Sequence, residues 1–364
     1  MRISIIGNYC FTASLPDDLK AVHQYGSESM TAILASQLAK HHQVEFHAPV
    51  GSSRIGVYHP TRRTDGKYLP SDLLDDISLD GSKHTDLTNS EFVIDCTPWA
   101  NNTQSLALYE DYHKYLNYRL GYKDYEHPQH LPRNQRNYIT HCTHFAELYR
   151  AAGYSAQVAH FGLTDFWSPK TEVDNEYSDY FARMAITNGD YFLFPHRYNP
   201  EKGSFDIIRL AQDFPDKTFV FSSAGVSPDH IAYLRQLQNI APSNCKFIQF
   251  PSTPDRDYYR RELYRNAKAT LSPFKLMNGY EDTGGILSME SIKCGTPVIV
   301  TRSTGSDEIF NHQEDAGAFF IDGYESLKLH IKHTDFLSAK PNHWKWTPEL
   351  YTQEYITAMT NILA

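Results

Sequence analysis

The chain has 364 residues and a formal net charge of −9; 41% of its residues are hydrophobic and 21% are charged. This length exceeds what one hydrophobic core usually supports, so we expect two domains. The negative charge argues against a broad nucleic-acid-binding surface and against docking on a strongly anionic membrane, while a local peripheral membrane contact stays open.

Cysteine usage and the N-terminus both favour a cytoplasmic protein. The five cysteines are far apart and have neither metal-ligand nor redox-motif spacing, which is typical of reduced, buried side chains. The apolar run at residues 1–7 is too short for a signal peptide. No stretch reaches about 18 apolar residues, so no transmembrane segment is predicted.

Strand-like and helical patterns alternate in the first half, which predicts an α/β fold. Strands are expected at residues 2–7, 43–48, 91–96, 138–142 and 157–162, and helices at 27–40 and 145–152. The polar stretch at 163–188 lacks periodicity and is interpreted as an interdomain connection.

Six tyrosines recur every three or four residues between Tyr109 and Tyr125. On a helix they would form a continuous stripe. One interpretation is an interfacial or acceptor-binding surface, since tyrosine joins an apolar ring to a polar hydroxyl. The other is packing within the first domain, which we favour because acidic residues interleave with the basic ones.

The second half repeats the alternation of strands and helices. Strands are expected at 191–195, 218–222, 246–250 and 269–273, and helices at 203–213, 231–238, 256–267 and 348–363. The segment between 282 and 300 supplies one further helix and strand.

That segment is the most informative part of the chain. It is interpreted as a loop carboxylate at Asp282, a helix opened by Gly284 and Gly285, and a second carboxylate at Glu290, followed by a turn into a buried strand. Glycines at a helix start let backbone N–H groups approach an anion, which the helix dipole also favours. A carboxylate further along accepts hydrogen bonds from a pair of sugar hydroxyls. Phosphate and sugar on one helix indicate a nucleotide sugar.

Arg197 and Lys202 lie in a loop between a buried strand and a helix. Ligands of parallel sheets gather at the carboxyl ends of strands, where such loops lie. An arginine and a lysine converging on a diphosphate would neutralise it without a metal, and would stabilise the charge that it gains on leaving. The alternative is an ordinary solvated loop.

Metal and cofactor chemistry are not expected. Asp255-Arg256-Asp257 has the D-x-D spacing of metal-dependent sugar transferases, but it precedes a helix, where an aspartate is a good N-cap. The 18 histidines show neither H-x-x-x-H nor H-E-x-x-H spacing, and dinucleotide, P-loop and G-x-S-x-G motifs are absent. We therefore predict no metal and no cofactor.

Taken together, these residues resemble the retaining glycosyltransferases of family 4, which have the GT-B fold of the glycogen synthase and phosphorylase superfamily. Arg197 and Lys202-Gly203 match the family's GR…KG residues, residues 282–290 match its E-x7-E motif, and residues 295–299 match its GTPVI run. Residues 305–309 resemble the short loop that follows.

The resemblance implies two Rossmann-like doubly wound domains that face each other across a cleft. The first, acceptor-binding domain would span 1–167, with 345–364 packing back on it as a C-terminal helix. The second, nucleotide-sugar-binding domain would span 168–344. The N-terminal matches are residues 25–28, with the family's glycine loop, and 160–169, with the segment that closes its first domain.

The resemblance also implies roles for individual residues. Arg197 and Lys202 would bind the donor diphosphate, and Glu290 would accept hydrogen bonds from the nucleotide ribose. Asp282 would contact the donor sugar or stabilise its oxocarbenium-like centre. The remaining matches are the backbone amides near phosphate or sugar, at Gly284, Gly285 and Ile286, and the acceptor-side loop at Gly26 and Ser27.

The implied activity is transfer of a sugar from a UDP- or GDP-type donor to a carbohydrate or glycoconjugate hydroxyl, with retention, by a front-face mechanism and without a metal. Two departures stand out. The first carboxylate is Asp282 rather than glutamate, so Glu281 could take its place, and the family's histidine after the fourth strand has no clear match at 95–98. A sugar-nucleotide epimerase or hydrolase of the same fold, or a non-catalytic nucleotide-sugar-binding subunit, are the alternatives.

Overall fold

The structure of the protein is a computed structural model. It describes residues 1–6, 34–35, 37–50, 54–58, 90–96, 115–119, 137–163, 166–169, 186, 189–223, 228–249, 256–275, 285–310, 317–336 and 347–363. The chain divides into two compact units, Met1–Phe166 with Trp346–Ala364, and Trp167–Lys345.

Strands and helices alternate along the described chain. The strands are β1 (Arg2–Ile6), β2 (Gln43–Val50), β3 (Arg54–Tyr58), β4 (Phe92–Asp95), β5 (Tyr115–Arg119), β6 (Asn137–Thr140), β7 (Ser155–Val158), β8 (Tyr191–Phe194), β9 (Thr218–Ser223), β10 (Cys245–Gln249), β11 (Ala269–Ser272), β12 (Val298–Thr301) and β13 (Ala318–Ile321). The helices are α1 (Thr143–Ala151), α2 (Ser204–Asp213), α3 (Pro228–Ile240), α4 (Arg256–Asn266), α5 (Gly285–Lys293), α6 (Thr304–Phe310), α7 (Tyr324–His333) and α8 (Pro348–Leu363).

The first unit contains a sheet with the strand order β3-β2-β1-β4-β5-β6-β7. All neighbouring strands run parallel except β2 and β3, which pair antiparallel. The C-terminal helix α8 packs against β6 and β7. It buries Tyr351, Tyr355 and Met359, which recur every four residues and so lie on one face. The helix thus belongs to the first unit although it ends the chain.

The second unit contains a fully parallel sheet with the order β10-β9-β8-β11-β12-β13. Its first strand, β8, is buried throughout, as expected of a parallel strand covered on both faces. On one face, apolar residues of α2 and α7 such as Leu210 and Leu327 pack with Phe219 and Leu271 of the sheet. This is a doubly wound α/β unit, in which the order of strand addition reverses between β8 and β11.

The predicted α/β fold is confirmed, and the predicted elements of the second half appear within a few residues of their expected bounds. In the first half, the strand expected at 157–162 is β7, which begins two residues earlier and ends at Val158. Of the helix expected at 27–40, the described residues 34, 35 and 37–39 are helical, and Leu34 and Leu38 are buried.

Two segments differ from the conformation that their sequence pattern or resemblance suggests. Residues 115–119, within the tyrosine-rich segment, form strand β5 between β4 and β6, so the stripe that a helix would give is not formed there. Tyrosine favours strands, and pairing on both edges decides the conformation. Residues 305–309 form part of helix α6 rather than a loop. Ser303 and Ser306 cap this helix reciprocally: each backbone N–H donates to the other's hydroxyl, at 2.8 and 3.0 Å.

Candidate functional site

The candidate site lies where the strand order of the second sheet reverses. Strands β8 and β11 are neighbours, with Phe192 opposite Ala269, yet the chain proceeds from β8 to one side of the sheet and from β11 to the other. The loops that follow such a pair diverge, and ligands of doubly wound sheets bind in the crevice between them. The loop after β8 carries Arg197 and Lys202.

A glycine fixes the loop after β8 against the end of β11. Gly203 has a φ of 76°, and a Cβ added there would lie 2.0 Å from the carbonyl oxygen of Pro273. The backbone N–H of Lys275 donates to the carbonyl oxygen of Glu201 at 2.7 Å. Only a residue without a side chain allows this approach. The glycine therefore sets the position of the neighbouring Lys202.

The two predicted cations differ in environment. Lys202 ends a short 3-10 helix, Pro200–Lys202, and is 8% exposed, whereas Arg197 is half-buried. In the same loop, the buried imidazole of His196 shares a 2.8 Å hydrogen bond with the hydroxyl of Ser272, at the end of β11. This side-chain contact is a second tie between the loop and the neighbouring strand.

Helix α5 begins at Gly285, in agreement with the helix opened by glycine that the sequence predicts here. Gly285 has a φ of 71°, a conformation that glycine adopts without strain. The first turn contains no acidic residue, and the N–H groups that open a helix carry a partial positive charge. At the other end, Gly295 has a φ of 84° and donates its N–H to the carbonyl oxygen of Ile292 at 2.9 Å, which closes the helix before β12.

Glu290 faces helix α4 and is 2% exposed. Arg260 donates from Nη2 to Glu290 Oε1 at 3.2 Å, and the Tyr264 hydroxyl donates to Oε2 at 3.2 Å. Arg260 and Tyr264 are one helical turn apart and so lie on the same face of α4. Burial, reinforced by the charge of Glu290, raises the pKa of Tyr264 well above its usual value, so this hydroxyl stays a donor.

Trp167 completes the surroundings of this carboxylate. The guanidinium of Arg260 lies 4.9 Å from the centroid of the Trp167 ring, which packs edge-on to Tyr264 at 6.0 Å. Arg260, Tyr264, Glu290 and Trp167 are all buried. We call these four residues the Glu290 cluster.

The structure describes the surroundings of some of the predicted site residues. Arg197 and Lys202 share the loop after β8, Gly285 and Ile286 open α5, and Glu290 lies deeper in that helix. Five predicted residues fall outside the described residues: Gly26, Ser27, Glu281, Asp282 and Gly284.

Sequence reasoning missed Arg260, Tyr264 and Trp167. The i, i+4 spacing of Arg260 and Tyr264 on a predicted helix was an available signal, but nothing in the sequence indicates that this face of the helix meets Glu290. Trp167 lies at the start of the stretch interpreted as a connection.

The described residues also concern the metal and membrane predictions. Among them, no group of three or more histidine, cysteine, aspartate or glutamate side chains is placed to hold a metal ion. Nor does any described helix combine the length and apolar character needed to span a membrane.

Comparison with known proteins identifies the class of this fold. Residues 179–346 match the family model of the glycosyl transferases group 1. No curated protein matches the sequence significantly. Among solved structures, a glycosyltransferase from Rickettsia africae has a TM-score of 0.65 at 13% identity, covering 100% of this chain and 98% of that one.

Two further solved structures share the fold over nearly their whole length. Sucrose-phosphate synthase from Thermosynechococcus elongatus has a TM-score of 0.61 at 12% identity, covering 100% of this chain and 96% of that one. HepE from Anabaena, solved with UDP-glucose, has a TM-score of 0.61 at 13% identity, covering 100% and 97%. The chain therefore has the GT-B fold, and with the group 1 match over residues 179–346 we conclude that it is a glycosyltransferase.

Proposed function

We propose that this glycosyltransferase moves a sugar from a nucleoside-diphosphate sugar to a hydroxyl of a carbohydrate or glycoconjugate acceptor, with retention and without a metal. The observation that carries the proposal is the position of Lys202 and Arg197. Their loop contacts the end of β11, at the point where the strand order of the sheet reverses. HepE was solved with UDP-glucose, which supports a nucleotide sugar as the donor.

The proposed diphosphate site joins two sources of positive charge. Lys202 and Arg197 follow β8, and the N–H groups of Gly285 and Ile286 open α5 after β11. Lys202 is 8% exposed as a residue, and an attraction between a buried lysine and phosphate is stronger than one at the surface. A hydrogen bond to a charged group contributes about 1.5–3 kcal/mol.

The proposed reaction needs charge stabilisation more than a general base. The acceptor oxygen attacks the anomeric carbon on the face that the diphosphate leaves, the bond from that carbon to the phosphate oxygen breaks, and this oxygen takes the acceptor's proton. Arg197 and Lys202 stabilise the charge that grows on the leaving diphosphate. Asp282, or Glu281 beside it, would contact the donor sugar.

Glu290 is proposed to accept hydrogen bonds from the two ribose hydroxyls of the nucleotide. Each carboxylate oxygen has two lone pairs, and Arg260 and Tyr264 take one from each oxygen. Because Glu290 is 2% exposed, ribose reaches it only if a neighbouring group moves on binding.

We also propose that the enzyme is cytoplasmic and works without a metal. The burial of Cys245 and Cys294 supports a reduced environment in which thiols serve as small apolar side chains. The cations of the loop after β8 supply the charge that a metal provides in other transferases. Activity that survives exhaustive chelation is the expected outcome, and recovery of lost activity on adding Mg²⁺ or Mn²⁺ would contradict the metal-free proposal.

The stereochemistry of the product tests the reaction. UDP-, GDP- and ADP-sugars are incubated with a panel of saccharide acceptors, and the anomeric configuration of the product is read by proton NMR. A product with the configuration of the donor supports retention, and an inverted product contradicts it. Epimer or free sugar formed as the main product without an acceptor would favour an epimerase or hydrolase.

A further inference from the structure

A cavity of about 390 Å³ lies at the carboxyl ends of β11, β12 and β13 in the second unit. Its wall includes Pro273 and Phe274 after β11, Thr301 at the end of β12 and Ile321 at the end of β13. Small-molecule sites are commonly cavities of about 300–1,000 Å³, and those of parallel sheets lie at the carboxyl ends of strands. Both the size and the place of this cavity are therefore those of a ligand site.

The cavity lies on the face of the sheet that is opposite to α5. Successive side chains of a strand point to opposite faces. Thr270 of β11 shares a 2.7 Å hydrogen bond with Ser291 of α5, whereas the next residue, Leu271, packs with α2 and α7. The cavity is lined by Asp206 of α2 and Leu327 of α7. The sheet thus separates it from α5, which the proposed function assigns to the donor.

Two pairs of opposite charge lie at the cavity. Lys275 Nζ is 3.6 Å from Asp206 Oδ2, and Arg302 Nε is 3.6 Å from Asp322 Oδ1. Both separations are longer than a hydrogen bond, so neither pair uses a donor or an acceptor on its partner. In the described part of the chain, the cavity is lined by these two cations and two carboxylates. An anion drawn to either cation would also meet a carboxylate, so the balance favours a neutral ligand that both donates and accepts hydrogen bonds.

The wall between these charges is apolar and held in place. Ile321 and Leu327 are buried. The guanidinium of Arg209 lies 3.8 Å from the centroid of the Tyr324 ring, and the Tyr324 hydroxyl donates to Asp213 Oδ2 at 3.0 Å. Side chains that are already held lose little freedom when a ligand binds. An apolar wall with a few polar groups is typical of small-molecule sites.

We propose that this cavity binds a neutral saccharide, at a site separate from that of the donor. A sugar hydroxyl both donates and accepts, so it can donate to one of the two carboxylates while accepting from Lys275 or Arg302. Hydrogen bonds to charged groups are stronger than those between neutral ones. The C–H groups of the sugar ring are apolar and pack on the apolar wall. The site does not depend on the proposed transfer reaction, which assigns none of these charged side chains to the donor.

The chain offers a matched control for each charged pair. Lys217 lies 3.6 Å from the carboxylate of Asp216, which is the distance between Lys275 and its own carboxylate partner. Asp307 is a second partner of Arg302, at 3.3 Å. None of Lys217, Asp216 and Asp307 is among the described residues that line the cavity. Replacing Lys217 or Asp307 therefore removes a similar charge and leaves the cavity wall intact.

Ligand-observed NMR with neutral saccharides tests the site. Glucose, galactose, mannose, N-acetylglucosamine, maltose and sucrose are titrated without nucleotide, and the dissociation constants are read from the saturation-transfer signal. We expect at least one of these saccharides to bind the wild type. Lys275→Met and Asp322→Asn should each weaken that binding about tenfold, because each removes a hydrogen bond to a charged group. Lys217→Met and Asp307→Asn should bind the saccharide as the wild type does.

Three outcomes would overturn the proposal. The first is that no saccharide of the panel binds. The second is that a saccharide binds the wild type and all four variants equally, which would place it elsewhere and leave the proposed transfer reaction untouched. The third is that inorganic phosphate binds more tightly than any saccharide and is weakened by Lys275→Met, which would make the ligand an anion. The four side chains are all partly exposed, so the variants should fold, and circular dichroism checks this.

Discussion

The buried pair of Arg260 and Glu290 makes a strong prediction about stability. Glu290→Ala leaves a guanidinium that is 9% exposed without its counter-charge. Breaking a buried pair in this way typically destabilises a protein by about 3–5 kcal/mol. Arg302 and Asp307 form a pair of nearly the same length, 3.3 Å, with side chains 46% and 19% exposed. Asp307→Ala should cost about 0–1 kcal/mol, because solvent screens an exposed pair.

Urea unfolding followed by tryptophan fluorescence measures both free energies of unfolding. Trp167, one of four tryptophans in the chain, stacks with Arg260 in the second unit and contributes to this signal. The double variant Arg260→Met with Glu290→Met should recover much of what Glu290→Ala loses, since no buried charge is left unpaired. Equal losses below about 1 kcal/mol for Glu290→Ala and Asp307→Ala would refute the reasoning, because burial would then not distinguish the two pairs.

The remaining predictions concern the loop glycine, acid stability and thiol reactivity. Gly189 and Gly203 share a φ near 75°, but an added Cβ would meet nothing within 4 Å at Gly189 and would lie 2.0 Å from the Pro273 carbonyl oxygen at Gly203. Gly203→Ala should therefore lower the melting temperature more than Gly189→Ala. Equal shifts in melting temperature would contradict the clash. A hydrogen bond from Lys328 lowers the pKa of Asp213 in the folded state. The stability from Asp213 should thus be present above its unfolded pKa of 3.8 and lost as pH falls below it, so Asp213→Asn should lower the urea midpoint at pH 7 more than at pH 3. Burial raises the pKa of Cys245 to about 12, so peptide mapping after iodoacetamide treatment at pH 8 should find it alkylated only in unfolded protein, and rapid labelling of the native chain would contradict its burial.

The fold was predictable where hydrophobic pattern and length agree. The four apolar residues of β8 and the alternation of strands and helices after them indicate a parallel α/β unit without further information. Strand β5 could not be found this way. Its tyrosine spacing fits a helix. It is a strand because it pairs with β4 on one edge and β6 on the other, and both partners lie outside the segment whose pattern was considered.

The places of the candidate site residues in the fold were predictable where they depend on local sequence. Arg197, Lys202 and Gly285 stand beside a strand end or helix start, and the parallel sheet dictates where those ends meet. The partners of Glu290 were not predictable, because Arg260 and Tyr264 precede it by 30 and 26 residues on another helix. Only the packing of α4 against α5 shows that their side chains meet.

The most direct test of the central claim is nucleotide-sugar binding to the loop after β8. UDP-, GDP-, ADP- and CMP-sugars are screened by thermal shift against the wild type, Lys202→Met and Lys268→Met. Lys268 is a matched control, since its 2.6 Å pair with Asp190 has side chains 33% and 67% exposed. We expect at least one nucleotide sugar to stabilise the wild type, by about 2.7 kcal/mol at a hundred times its dissociation constant. Lys202→Met should bind it about tenfold to a hundredfold more weakly while Lys268→Met binds it normally. Binding of that ligand to Lys202→Met with wild-type affinity would contradict the account.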